Sequence, residues 1–139
     1  MRQAADLLAS GEVEFPEPPR EPLQLVRYAD AGVLMTNPAF RDEGLSNSIM
    51  EYMALGLPVI CGDGGGNSEL VIDGATGFII PPADVAALVD KLAFMKASRK
   101  AAQEMGRAGR ARIAESFSVD RMVRRMLYVY EEAMAAAAG

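Results

Sequence analysis

Residues 43–69 read EGLSNSIMEYMALGLPVICGDGGGNSE, and the fold turns on how this stretch is parsed. Glu43 closes a loop that begins at Asn37. A helix follows from about Leu45 to Leu55, its apolar residues Ile49, Met50, Met53 and Ala54 at helical spacing. Gly56 ends it, and Pro58 prevents its resumption. Pro58–Cys61 is an uninterrupted apolar run of the kind buried on both faces of a parallel sheet. Gly62-Asp63-Gly64-Gly65-Gly66 then turns into a second helix at Asn67. Two helix N-termini, near Ser46 and near Asn67, would open at the same end of the sheet. Their free backbone N–H groups suit a phosphate, and the carboxylates of Glu43 and Glu51 suit sugar hydroxyls. The combination reads as a nucleotide-sugar site.

Outward from this stretch, strand and helix alternate. Gln3–Ala9 is helical and ends at Gly11, and Val13–Phe15 is a short strand candidate. The proline run at 16–22 is loop, and Leu23–Ala29 is a short amphipathic helix. Gly32–Thr36 is a second buried strand and Gly77–Ile80 a third, the latter preceded by the turn Asp73–Gly77 and closed by Pro81-Pro82. Asp84 caps a helix to about Met95. Another spans about Arg99 to Glu115, softened by Gly106 and Gly109, and Ser118 caps the last, Val119 to about Ala136. The expected architecture is α/β: an incomplete Rossmann-like parallel sheet of about four strands flanked by helices, with a helical C-terminal third. Ligands of such sheets lie at the carboxyl ends of the strands.

Composition narrows the chemistry. The 139 residues suit one domain, 1–139, with half the residues apolar and a net charge of −5, which argues against nucleic acid as the main partner. Nine of the fourteen basic residues fall between Lys96 and Arg125, a pattern that fits solvated helix faces and, less simply, an anionic surface or partner. The absence of histidine excludes the Ser-His-Asp triad and imidazole metal sites. Cys61 alone can form no disulfide within the chain. Neither a signal peptide's apolar core nor a membrane-spanning run is present, so a cytoplasmic protein is expected.

The motifs together resemble a known family. E-G-L-S-N-S-I-M-E, the paired glycines before N-S-E-L-V, and D-G-A-T-G-F-I-I-P-P are similar to the donor-binding half of retaining GT-B glycosyltransferases, the "group 1" enzymes. Ala29-Asp30 before the strand and Phe117-Ser118 before the last helix agree. The resemblance implies that Glu43 and Glu51 are the acids of the E-x7-E motif. Glu51 would bind the ribose hydroxyls, and Glu43, beside the transferred sugar, would carry the catalytic role. It also implies that Gly44, Leu45, Ser46 and Asn47 offer amides or a hydroxyl to sugar and diphosphate, and that Gly65 and Gly66 let the backbone approach the ligand. The donor would be a UDP- or GDP-type nucleotide sugar, with no metal or other cofactor required.

The family's acceptor domain, and the opening strands that carry its basic Arg/Lys pair, have no counterpart here. The resemblance therefore implies the donor part of an enzyme, inactive alone. A non-catalytic nucleotide-sugar-binding subunit and a folded fragment without activity are the alternatives. Either a separate N-terminal partner domain or a homodimer would cover the apolar side of the last helix. In a full enzyme a membrane-peripheral location is also expected. Each acid and glycine has a plainer reading as well. Ser48-x-x-Glu51 fits a capping box, Glu43 a solvated loop, the glycines a tight turn, and Asn67 a helix N-cap.

Overall fold

The computed structural model describes residues 4–15, 17, 20–35 and 44–137. Helix α1 (Ala4–Ala9) and helix α2 (Pro22–Val26) precede strand β1 (Gly32–Leu34). Helix α3 (Asn47–Ala54), strand β2 (Val59–Gly62), helix α4 (Asn67–Leu70) and strand β3 (Gly77–Ile80) follow. Helices α5 (Val85–Ala97), α6 (Arg99–Ser116) and α7 (Val119–Ala137) complete the chain. The strands form a parallel sheet in the order β1-β2-β3, with Val33 opposite Ile60, and Ile60 opposite Phe78.

Period-two alternation along β2 divides the core. Val59 and Cys61 face one side, where Ile49, Met53, Leu70 and Val71 pack from α3 and the α4 end. Ile60 faces the other, with Phe78, Ile80, Met95, Ala102 and Met105 from β3, α5 and α6. All four residues of β2 are buried, as its continuous apolar run predicts. Met35 and Met50 pack against these clusters and Met53 is fully buried, so these three methionines are core residues.

Several expectations need correction. The described sheet has three strands rather than four. Val13–Phe15 forms no strand, and Phe15 is 83% exposed. Its β-forming residues sit between a glycine turn and the proline run, and without a neighbouring strand an extended segment has no ladder to join. Pro22 belongs to α2 rather than to the loop, opening it where a missing N–H costs nothing. Helix α6 is continuous through Gly106 and Gly109, so neither glycine softens it. A Cβ at Gly106 would lie 2.0 Å from the Gly56 carbonyl oxygen. That glycine exists because α6 crosses directly against the turn that feeds β2.

Candidate functional site

The carboxyl end of β2 is organised by one buried side chain. Asn67, 3% exposed, donates from Nδ2 to the Gly62 carbonyl at 2.9 Å, pinning the start of α4 to the end of the strand. The N-cap is Gly66, and Asn67 is the first helical residue, so its expected capping role is replaced by this strand-to-helix tie. Its Oδ1 is buried without a hydrogen-bond partner among the described residues. Sequence reasoning discounted Asn67. The available signal was an amide side chain placed directly after three glycines, where a turn lacks side chains to hold itself.

From Gly64 to Gly66 the backbone carries no side chains. Gly64 and Gly65 are exposed, Gly65 has φ +56°, and nothing lies within 4 Å of a Cβ placed on Gly64. Gly66 is buried, and its N–H donates to the Gly44 carbonyl at 3.2 Å. A Cβ there would come within 3.0 Å of that oxygen and of Leu45. The absent side chain of Gly66 therefore serves the contact between two loops, while Gly64 and Gly65 leave backbone open to a ligand.

That hydrogen bond places Gly44–Ser46, at the entrance to α3, beside the glycine turn. Ser46 is the N-cap in extended conformation and is buried, yet its hydroxyl does not cap the helix. The first-turn amides of α3 thus point from the mouth of the sheet without a side-chain cap. Gly44, Leu45 and Asn47 are exposed there. Glu51 is exposed one turn further along α3, on the face shared with Asn47 at i+4. Because α3 starts at Asn47, Ser48 lies inside the helix and the capping-box reading of Ser48 and Glu51 does not hold. Residues 36–43, Glu43 among them, lie outside the described residues.

The sequence model of the glycosyl transferases group 1 family matches residues 2–112. The chain belongs to this family. It is 36% identical over 96 residues to the lipopolysaccharide core biosynthesis mannosyltransferase LpsB of Rhizobium meliloti, covering 68% of this chain and 27% of that protein. It is 35% identical over 105 residues to the D-inositol 3-phosphate glycosyltransferase of Nocardia farcinica, covering 74% and 22%. The chain thus spans about a quarter of the length of these group 1 relatives. Among solved structures, HepE of Anabaena in complex with UDP-glucose superimposes with a TM-score of 0.72 at 23% identity, over 81% of this chain and 30% of that one. The C-terminal domain of LpcC from Francisella tularensis, a group 1 family protein, superimposes at 0.69 with 19% identity, over 83% and 60%. The fold is that of GT-B glycosyltransferases.

Other group 1 motif residues here are architectural. Asp73 Oδ1 accepts the Ile79 N–H at 2.9 Å, and Thr76 Oγ1 accepts that of Ile72 at 2.8 Å. A Cβ on Gly77 would meet the Val59 carbonyl oxygen at 2.5 Å. The D-G-x-T-G-F motif therefore locks β3 against β2. A cavity of about 490 Å³ lies at the opposite end of the sheet, among Ala31, Pro58, Lys96 and Arg99. It borders the amino ends of the strands, away from the end where open sheets bind ligands.

Proposed function

We propose that this chain is the donor-binding part of a retaining glycosyltransferase that moves a sugar from a nucleoside-diphosphate sugar to an acceptor hydroxyl. The observation that carries the reading is the Gly66–Gly44 hydrogen bond, which sets the uncapped start of α3 beside the open backbone of Gly64 and Gly65. Amides converging at a helix N-terminus stabilise a diphosphate, and more so as negative charge develops on it when the glycosyl bond breaks. In this reading Gly44, Leu45, Ser46, Asn47 and Gly65 hold the diphosphate and sugar, and Gly66, expected to do the same, instead sets the two loops side by side. Glu51 takes the ribose hydroxyls, and Glu43 supports the positive charge that builds on the transferred sugar. That relatives of this sequence are named mannosyl- and glycosyltransferases supports the reaction class.

The site needs no divalent cation in this scheme, because amides do the work a metal would do on the phosphate. Since the chain spans about a quarter of its relatives, we expect donor binding without completed transfer by this chain alone.

The test is calorimetric titration with UDP, GDP and ADP, repeated in EDTA and with Glu51→Ala. One nucleotide should bind, with affinity unchanged by EDTA and reduced at least about tenfold by the substitution, a loss on the scale of a hydrogen bond to a charged group. Glu51 is exposed, so the variant should fold normally. A folded chain that binds none of the three would refute the proposal. Binding with no transfer to any acceptor fits the donor-part reading, whereas transfer by the chain alone contradicts the expected inactivity.

A further inference from the structure

Charge is unevenly placed in this chain, and helix α6 holds most of the imbalance. Residues 96–112 contain six of the fourteen basic residues and one of the nineteen acids, Glu104. A net charge of +5 therefore sits in this stretch of a protein whose total is −5. At about 100° per residue, Arg99, Lys100, Arg107 and Arg110 fall within an arc of about 100° on α6. All four are exposed. Glu104 and Glu115, the acids of the helix, lie outside that arc.

A solvated helix face usually mixes its charges, with acids three or four residues from bases. Here Arg99 is followed at those spacings by Ala102 and Gln103, and Arg110 is flanked by Gly106, Arg107, Ile113 and Ala114. None of the four cations forms an ion pair with a described residue. Lys96, in the last turn of α5, adds a fifth exposed cation just before Arg99. Like charges this close destabilise a helix, and an anionic partner relieves the repulsion. The packed side of α6 is already seated, with Ala102, Met105, Gly106 and Gly109 buried. The stripe is thus the outer side of a docked helix, not an apolar face left open.

We infer that this stripe docks the protein on the anionic surface of a phospholipid bilayer. From Arg99 to Arg110 it extends about 16 Å along the convex back of the helix. Of its four cations, Arg99 alone borders the cavity at the amino ends of the strands, so a small anion held there would leave the other three unused. A flat array of headgroups meets all four at once. Clusters of about four to eight Lys or Arg on a helix are the charge pattern that anionic lipids attract, with about fivefold in affinity for each cation. Nucleic acid fits less well. No aromatic residue lies in the arc to stack on a base, and the rest of the chain carries eighteen of the nineteen acids. Those acids also keep other faces off the membrane, so docking has one orientation.

Co-sedimentation of the full chain with lipid vesicles tests this. Pure phosphatidylcholine vesicles should bind nothing, and binding should rise as phosphatidylglycerol is added to about 15 and then about 30 mol%. Raising salt from about 0.05 to about 0.5 M should abolish it. Arg107→Gln/Arg110→Gln should weaken binding about 25-fold, and Arg124→Gln/Arg125→Gln on α7 by less than about threefold. Glutamine keeps helix propensity at these exposed positions, and circular dichroism checks the fold of each variant. A chain that stays in the supernatant at the higher phosphatidylglycerol content and low salt would overturn the inference. So would equal losses from the two double substitutions, or tighter binding to duplex DNA than to the vesicles at the same salt.

Discussion

At the scale of single residues, two glycines three apart in α6 have opposite reasons for being there. A Cβ on Gly106 would meet the Gly56 carbonyl at 2.0 Å, and neither backbone can yield without opening the junction between α6 and β2. A Cβ on Gly109 would meet Met53 and the Thr76 carbonyl at 3.5 Å, ordinary contact. Gly106→Ala should therefore destabilise by about 1–3 kcal/mol or more, the usual cost of overpacking. Gly109→Ala should be neutral or stabilising by up to about 1 kcal/mol, through better helix propensity. Urea denaturation of both variants measures this, and equal effects would contradict the packing. Cys61 gives a pH dependence. Burial first, then Asp63 and Asp73, push its thiol from about 9 up to about 11. Below pH 9 the proton is held in both states and stability is unaffected. Between about pH 9 and 11 the unfolded thiol ionises first, so stability falls as pH rises. The advantage of wild type over Cys61→Ala in urea midpoint should shrink across that window, and a constant difference would exclude the effect.

Among elements, α4 is the weakest by length and needs help from outside. Arg112, on α6, donates from Nε to the Leu70 carbonyl at 2.8 Å and from Nη2 to the Glu69 carbonyl at 2.7 Å, with its guanidinium 5.8 Å from the Phe117 ring centroid. A cation thus closes the negative end of a four-residue helix. Arg112→Ala should cost about 1–3 kcal/mol, and Arg112→Lys should recover less than half, because an ammonium cannot serve two carbonyls in a fixed fork. Full recovery by lysine in thermal unfolding would show that charge alone matters. In sequence, Arg112 is one of nine basic residues on solvated helices, and nothing local separates it from Arg110, because its partners are 42 and 43 residues away. The same limit hid Asn67, whose value lies in reaching back to Gly62, and Gly106, whose neighbour is Gly56. What was legible is what periodicity and punctuation encode locally: the buried strands β2 and β3, the Asp84 cap that accepts the Ala87 N–H at 2.9 Å, and helices α5 to α7. The shared mouth of the candidate site was legible as well, because strand direction alone fixes where α3 and the glycine turn open. That Gly66 and Gly44 touch there was not.

For the whole molecule, the two core clusters close around β2 without any residue of α7, and none of the residues of α7 is buried. The stability of the core should therefore be separable from that helix. A chain ended after Ser118 keeps Phe117, which packs against the core, and should hold its urea-unfolding free energy to within about 0.5 kcal/mol of the full chain. A loss of more than about 1 kcal/mol would show that α7 supports the core after all.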